Sequence, residues 1–502
     1  MRRSRLGFYL GVTCILPMMA SFGCGTGSVT SPAPVTTIAA TANPLVAEYT
    51  ITPNGANATA WVEFGADTTY GRQTSSTTPT MGMRDPLTVL VAGMRPNTTY
   101  HMRAHLDAAN GESWVGPDET FKTGAIPASA GTLPGIVVTR PTPGLTPSSG
   151  VEVFNLVGTN KMLTALVTDI EGNIIWYYSP GNGASPTPMK LMSNGHFIMN
   201  VGDLREIDLA GNIVRSITPA AINQSLQANG YSFTISFFHH DVIVLPNGHW
   251  ITLANTSKDF TNLPGYPGVT DVLGDALIDI DLNGNVAWAW SGFDHLDVNR
   301  HLMGLPDWTH SNAIIYAPDG NLLLSMRHQS WILKIDYADG AGAGDILWKL
   351  GYQGDFALAG GDDSNWFFAQ HYPNLESTNG SVMTLAIVDN GDLRINANDV
   401  PCTTTCYTRA TVFQVDEATN LATLLWQDLP GFYSFWGGSI GLLGNGDMEF
   451  DLTTVASTPA SQVMEVTYPD SPQTVWQLNL SGENAYRAFR IPSLYPGVSW
   501  QK

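Results

Sequence analysis

The sequence predicts an all-β chain, and three observations carry that expectation. Of 502 residues, 50 are Gly and 31 are Pro, while only 13% are charged. Such a balance suits short strands and tight turns better than long amphipathic helices. An Asn-Gly or Asp-Gly turn also recurs between apolar strands, in MSNGHFIM, LPNGHWITL, APDGNLLLS, STNGSVMTL and LGNGDMEF. These dipeptides tolerate the positive φ of tight hairpins. Their glycines, Gly195, Gly248, Gly320, Gly380 and Gly446, lie roughly 50–70 residues apart, the length of one repeated sheet with insertions. Finally, Asp-x-x-Gly-Asn followed by an apolar run occurs in DIEGNIIWYY, DLAGNIVRS and DLNGNVAWAW, with echoes in GDILWKL, ATLLWQDL and TVWQL. These phrases end near residues 176, 215, 288, 348, 426 and 476. Six recurrences predict a six-bladed β-propeller over residues 135–500. An irregular two-sheet domain would explain the strands but not their repetition.

The elements before the propeller follow in order. MRRSRLGFYLGVTCILPMMASFGCGTGS joins a basic patch, an apolar run broken by Pro17, and small residues ahead of Cys24. That is the build of an export signal over residues 1–24, not of a spanning helix. Cys24 behind Ser21-Phe22-Gly23 is expected to carry a lipid, with ordinary signal cleavage as the alternative. The expected location is outside the cytoplasm of a bacterium, periplasmic or anchored to the outer membrane. Residues 25–45 read as a linker. Residues 46–124 alternate as strands in AEYTI, AWVEFG, LTVLVAGMRPNTTYHMRAHL and ETFKTG. The run leading into Tyr100 resembles the later strands of fibronectin type III modules, which implies a small β-sandwich. IPASAGTLPG is a second linker.

Composition narrows the function. A net charge of −20 argues against nucleic acid, whose phosphates call for clustered Lys and Arg. An anionic substrate would have to be held by locally focused positive groups against this field. Hydrophobic content of 43% is ample for a core, and no segment beyond the signal is apolar enough to cross a membrane. Cys402 and Cys406 in PCTTTC are close enough to close a small loop, and a disulfide is expected in an exported chain. A zinc half-site is the rival, but no second ligand pair stands nearby.

Three histidines stand at the head of three repeats: His239/His240 in FFHHDVIVLPNG, His310 in DWTHSNAIIYAPDG and His371 in FFAQHYPNLESTNG. Each precedes its turn glycine by about 8–10 residues, which would place the imidazoles in one layer of a central channel. One histidine at a strand start is ordinarily a satisfied structural residue; three in register, with Arg327 on the far arm of one hairpin, point to a site. Three imidazoles could hold zinc. A tetrahedral anion matches the same donors, however, and Arg327 would repel a cation while offering a planar fork to oxygens. One neutral imidazole could then attack the central atom. No nucleotide-binding loop or serine-nucleophile motif is present, and no cofactor is called for.

DWTHSN…DGNLLLSMR, preceded by HHD and followed by QH about forty residues on, resembles the bacterial arylsulfate sulfotransferases. The resemblance spans roughly residues 135–500 and leaves out the N-terminal sandwich. It implies an exported six-bladed propeller enzyme that moves a sulfuryl group from a phenolic sulfate ester to a phenol through a sulfohistidine. It implies His371 as nucleophile, His310 and Arg327 as groups holding sulfuryl oxygens, and Asn312 as a substrate-binding amide. One of the HHD pair supplies the remaining imidazole. His240 is preferred because Asp241 follows it, and His239 stays open. The implied partners are small molecules, a phenolic sulfate donor and a phenol acceptor, with monomer and homodimer both open. Trp308, Trp331, Phe367, Phe368, Tyr372, Phe435 and Trp436 are candidates to pack against the phenols, most of them expected to be core. Two alternatives remain: a sulfatase or phosphatase passing the group to water, and a surface propeller that only binds a ligand.

Overall fold

The computed structural model describes residues 33–52, 58–78, 86–108, 111–157, 163–180, 184–455 and 460–501. The expected export signal and Cys24 lie outside these residues. The described chain is all-β, with one α-helix, Pro219–Ala228, and a few single 3-10 turns. No described helix is long and apolar enough to cross a membrane.

Two sheets come first. Val35–Ala40, Ala47–Thr52 and Leu87–Val91 form one, in that order, and Arg72–Gln73, Ala58–Gly65, Thr99–Ala108 and Ser113–Val115 form the other, with Glu119–Lys122 also on Thr99–Ala108. Val35–Ala40 corrects the expected linker: it pairs with Ala47–Thr52 along its whole length and so belongs to the first sheet. Alternation does the folding, since Tyr49, Ile51, Val89 and Val91 from one sheet and Val62, Phe64, Met102 and Ala104 from the other enter one core. The Tyr100 hydroxyl accepts the Arg95 N–H at 2.9 Å.

Six more sheets occupy the rest of the chain. Sheets two to four are plain four-stranded meanders beginning with Met189–Leu191, Phe238–Val244 and Ser311–Tyr316. The fifth begins with His371–Asn379, and the sixth with Ile440–Leu442. The first sheet takes its fourth strand, Asn484–Ile491, from the end of the chain, while Gly135–Thr139 is added to the outer edge of the sixth. This exchange explains why five Gly turns accompany six recurring strand phrases, five with Trp and one with Arg215. The innermost strand of the first sheet arrives from the C-terminus and has no hairpin of its own.

The Trp phrases join each sheet to the next. Trp176 donates its indole N–H to Leu209 O, Trp288 to Gly342 O, Trp348 to Glu417 Oε1, and Trp426 to Asp470 O. In the second sheet Arg215 takes the tryptophan's place and donates to Asp281 O. Trp476 of the sixth sheet then donates to Ile170 O of the first at 2.8 Å, so the series closes into a ring. A buried indole needs an acceptor, and the neighbouring sheet supplies it, as a backbone carbonyl or, for Trp348, the Glu417 carboxylate.

The first two sheets are docked on this ring. Trp500 lies against Gly93, where a Cβ would fall 2.4 Å from the indole, and its N–H reaches Gln73 O at 2.9 Å. The Tyr495 hydroxyl accepts from Ala92 N and donates to Leu90 O, both at 2.7 Å. Asn43 donates to Tyr177 O, and Arg95 pairs with Asp169 at 2.6 Å. These contacts belong to one shared core cluster, which contains Tyr49, Trp176 and Trp500.

Candidate active site

The innermost strands of the third, fourth and fifth sheets each carry a bulge where their histidine stands. Register shifts lie between His239 and Val242, between Ser311 and Ala313, and between His371 and Asn374. The backbone is left-handed at His240 (φ 52°), His310 (φ 46°) and Tyr372 (φ 42°). Bulges re-aim side chains, and non-glycine residues hold a positive φ only where the surroundings impose it. Three sheets therefore turn an imidazole at the same level.

His371 is buried, with 1% exposure. Its Nδ1 lies 2.8 Å from Asn390 Oδ1, while the Asn390 amide donates to Ser434 O and Gly437 O. That orientation fixes the ring: Nδ1 carries the proton and Nε2 keeps the lone pair, which accepts the Gly437 N–H at 3.2 Å. Burial, and then the charge of Arg327, hold the imidazole well below its ordinary pKa, so Nε2 is free of a proton.

His240 and His310 stand beside it. Their ring centroids are 4.8 Å apart, and Tyr486 lies 5.7 Å from His240 and 5.9 Å from His371. The pair of HHD histidines is resolved by geometry. His239 points its Nε2 to Asp275 at 3.1 Å, and its Nδ1 meets His240 Nδ1 at 2.7 Å. His240 is thus the member against His310, kept neutral by burial and then by His239. Burial alone would raise the Asp275 pKa, but His239 and Ser311 bring it down to about 2. Asp241 does not pair with His240; it binds Lys190 at 2.6 Å, Arg487 at 3.3 Å and the Ile314 N–H at 2.9 Å, beneath the imidazoles.

His310 donates Nδ1–H to Asp307 Oδ2 at 2.5 Å and stacks on His328 with centroids 4.6 Å apart. Its side chain is 27% exposed, unlike that of His371. Arg327 donates to His328 Nε2 at 2.7 Å, to Asp392 at 2.8 Å and to Phe435 O at 3.0 Å, while its Nε has no partner among the described residues. Contacts therefore run from His371 through Tyr486, His240, His310, His328 and Arg327, and return through the 435–437 loop to His371.

Asn312 departs from its expected role as a substrate-binding amide. It donates to Gln370 O at 2.7 Å and accepts from Tyr372 N at 3.4 Å, and so brackets the backbone on both sides of His371. Among the aromatic candidates, Trp308, Trp331, Phe367 and Phe368 are buried packing residues. Tyr372 lies under Arg487, Trp436 stacks on Tyr486, and Phe435 is 47% exposed above Arg327. Cys402 and Cys406 form the expected disulfide, with the Cys402 N–H on Arg394 O. Sequence reasoning passed over Asp307, His328, Asn390, Asp392 and Tyr486. Asp307 and His328 lay beside histidine and arginine already singled out; the other three had no local signal.

Asp307, His310 and His328 offer three ligand atoms within 4.8 Å of one another. Both His328 nitrogens are already committed, Nδ1 to Asp307 O at 2.7 Å and Nε2 to a guanidinium, so the trio fits a hydrogen-bonded cluster better than a cation.

Together these features define an all-β protein with a buried, uncharged imidazole beside a guanidinium and two further imidazoles. The arylsulfotransferase (ASST) family model matches residues 145–487, and the chain belongs to that family. It is a sulfotransferase, and its family works on small molecules, an aryl sulfate donor and a phenol acceptor. No curated protein matches the chain. Among solved structures, a streptogramin B lyase is similar at 12% identity over 69% of this chain and 98% of its own, with a TM-score of 0.36. A catalytically inactive virginiamycin B lyase from Staphylococcus aureus gives 11%, 69%, 99% and 0.36, and a Lactobacillus plantarum protein 12%, 66%, 82% and 0.35. Likeness of this size carries no functional argument.

Proposed function

We propose that the protein moves a sulfuryl group from a phenolic sulfate ester to a phenolic acceptor through a sulfohistidine on His371. The observation that carries this reading is the His371 ring itself. Its tautomer is fixed by Asn390 and its lone pair kept free by burial, next to an Arg327 whose Nε has no partner among the described residues.

In the first half-reaction Nε2 of His371 attacks sulfur, displacing the weak Gly437 contact, and the S–O bond to the phenol breaks. Arg327 and His240 donate to the sulfuryl oxygens as charge shifts onto them. His310, with Asp307 behind it, gives a proton to the departing phenolate. In the second half-reaction the acceptor phenol returns a proton to His310 and attacks sulfur, and the S–N bond breaks. Asn312 keeps the His371 backbone in place throughout. Trp436 and Phe435 line the approach for the phenols.

The supporting frame belongs to the same proposal: six sheets as the blades of a β-propeller over residues 135–500, and a fibronectin type III-like module before it. An exported, lipid-anchored or periplasmic location is proposed from the N-terminal sequence. The test is mass analysis, at alkaline pH, of the tryptic peptide containing His371 after incubation with a chromogenic aryl sulfate. Sulfation of that peptide, lost in His371→Ala with the fold intact, is expected; ordinary turnover by His371→Ala overturns the nucleophile. Release of phenol that ignores added acceptor would make the protein a hydrolase instead.

A further inference from the structure

Arg327 sits at the start of a 3-10 turn, Arg327–Gln329, where the chain leaves one strand for the next. Nothing in the turn itself aims a long side chain into the site, so its direction must come from side-chain partners. Asp392 and Phe435 O both hold Nη2. Nη1 is held by its sequence neighbour, His328, at 2.7 Å.

This last contact constrains the imidazole. A guanidinium can only donate, so Nε2 of His328 must be the acceptor, and the ring proton must be on Nδ1. Nδ1 lies 2.7 Å from the carbonyl oxygen of Asp307, an acceptor that suits a proton there. Asp307 therefore serves two rings at once, its carboxylate taking Nδ1–H of His310 and its carbonyl taking Nδ1–H of His328. The charged or titratable groups against His328 are Arg327, His310 and Asp307.

We propose that His328 is a positioning residue that aims the Arg327 fork by accepting from Nη1 as a neutral, Nδ1-protonated ring. A charged His328 would set Nε2–H against Nη1–H, two donors face to face, and release the guanidinium. The surroundings oppose that charge. Burial first, then His310 and Arg327, hold the ring down at about pKa 4.

This proposal rests on the sulfuryl-transfer reading for its kinetic consequence, but its structural core can be tested separately. His328→Phe keeps a flat ring on His310 and removes both hydrogen bonds. His328→Gln keeps one acceptor and one donor without a titrating ring. Crystal structures of both variants report where Arg327 points whatever the chemistry: it should leave Asp392 or Phe435 O in His328→Phe and keep them in His328→Gln. Initial rates with the chromogenic aryl sulfate should fall at least tenfold in kcat/KM for His328→Phe and less than threefold for His328→Gln. An unmoved Arg327 in His328→Phe, wild-type kcat/KM in that variant, or failure of a folded His328→Gln to restore the rate would each overturn the proposal. Failure of the wild-type protein to sulfate His371 would instead remove the reading beneath it and leave the crystallographic result standing.

Discussion

At the scale of single residues, function depends on which ring nitrogen holds the proton. Asn390 presents a neutral carbonyl oxygen to His371, enough to fix the tautomer while favouring the imidazolium less than burial and Arg327 oppose it. A carboxylate at the same place would favour the charged ring and raise its pKa. In Asn390→Asp the acid limb of donor kcat/KM should therefore move to higher pH, by about one unit or more for an opposite charge in contact. A pH–rate profile at fixed acceptor checks this; an unmoved limb would show that Asn390 does not govern the nucleophile. The same residue-scale logic gives the site a pH signature in stability. His328 titrates near 4 in the folded chain against about 6.5 when unfolded, and His371 and His240 are also lowered. Between these values the unfolded chain binds protons that these three rings refuse in the folded chain, so their contribution lowers stability as pH drops, while Asp451, raised to about 7 by burial, and Glu449, also raised, act in the opposite sense. Each such group contributes a slope approaching about 1.4 kcal/mol per pH unit. Urea unfolding of the wild type and His328→Gln at pH 6.5 and pH 4.5 isolates the His328 share: the wild type should lose more stability, or gain less, than the variant over this interval.

At the scale of elements, the site is held by bulges and by one loop. The loop is 434–437, whose backbone meets Asn390, Arg327 and His371 together. It ends on Gly437 at φ 68°, where a Cβ would fall 2.1 Å from Thr453 Oγ1. Only glycine fits both constraints. Gly437→Ala should push this loop away from Thr453, costing about 1–3 kcal/mol for the strained backbone and lowering the rate of His371 sulfation. Parallel thermal melts and single-turnover assays test it, and wild-type behaviour in both would show that the loop yields without consequence.

Over the whole molecule, closure and docking both depend on the end of the chain. Asn484–Ile491 completes the first sheet and brings Tyr486 and Arg487 into the site, while Trp500 fastens the two N-terminal sheets. One C-terminal segment thus couples the ring, the site and the N-terminal unit. Trp500→Ala should destabilise the protein by about 3–5 kcal/mol, the usual cost of removing a buried tryptophan. If the N-terminal sheets are only loosely held, the change in denaturant midpoint will be far smaller and limited proteolysis near residues 125–134 unchanged.

The repeating strands, the turns at Gly195 through Gly446, the Trp phrases and three histidines in register were legible because each is a local pattern whose period or spacing survives in one dimension. His371, His310 and Arg327 could be chosen from neighbours within a few residues. The strand at Val35–Ala40 resembles a linker in sequence because VTTIAA has weak alternation and draws its identity from pairing with Ala47–Thr52. What the sequence alone determined is the all-β repeat and the kinds of groups brought to its axis. Tertiary structure decided which of His239 and His240 faces His310, that Asn312 serves the backbone of His371, and that Asn390 and His328 set tautomer and direction. Those choices rest on hydrogen bonds between residues far apart along the chain, such as Gly437 and His371, 66 positions apart, and such contacts have no signature in the order of the chain.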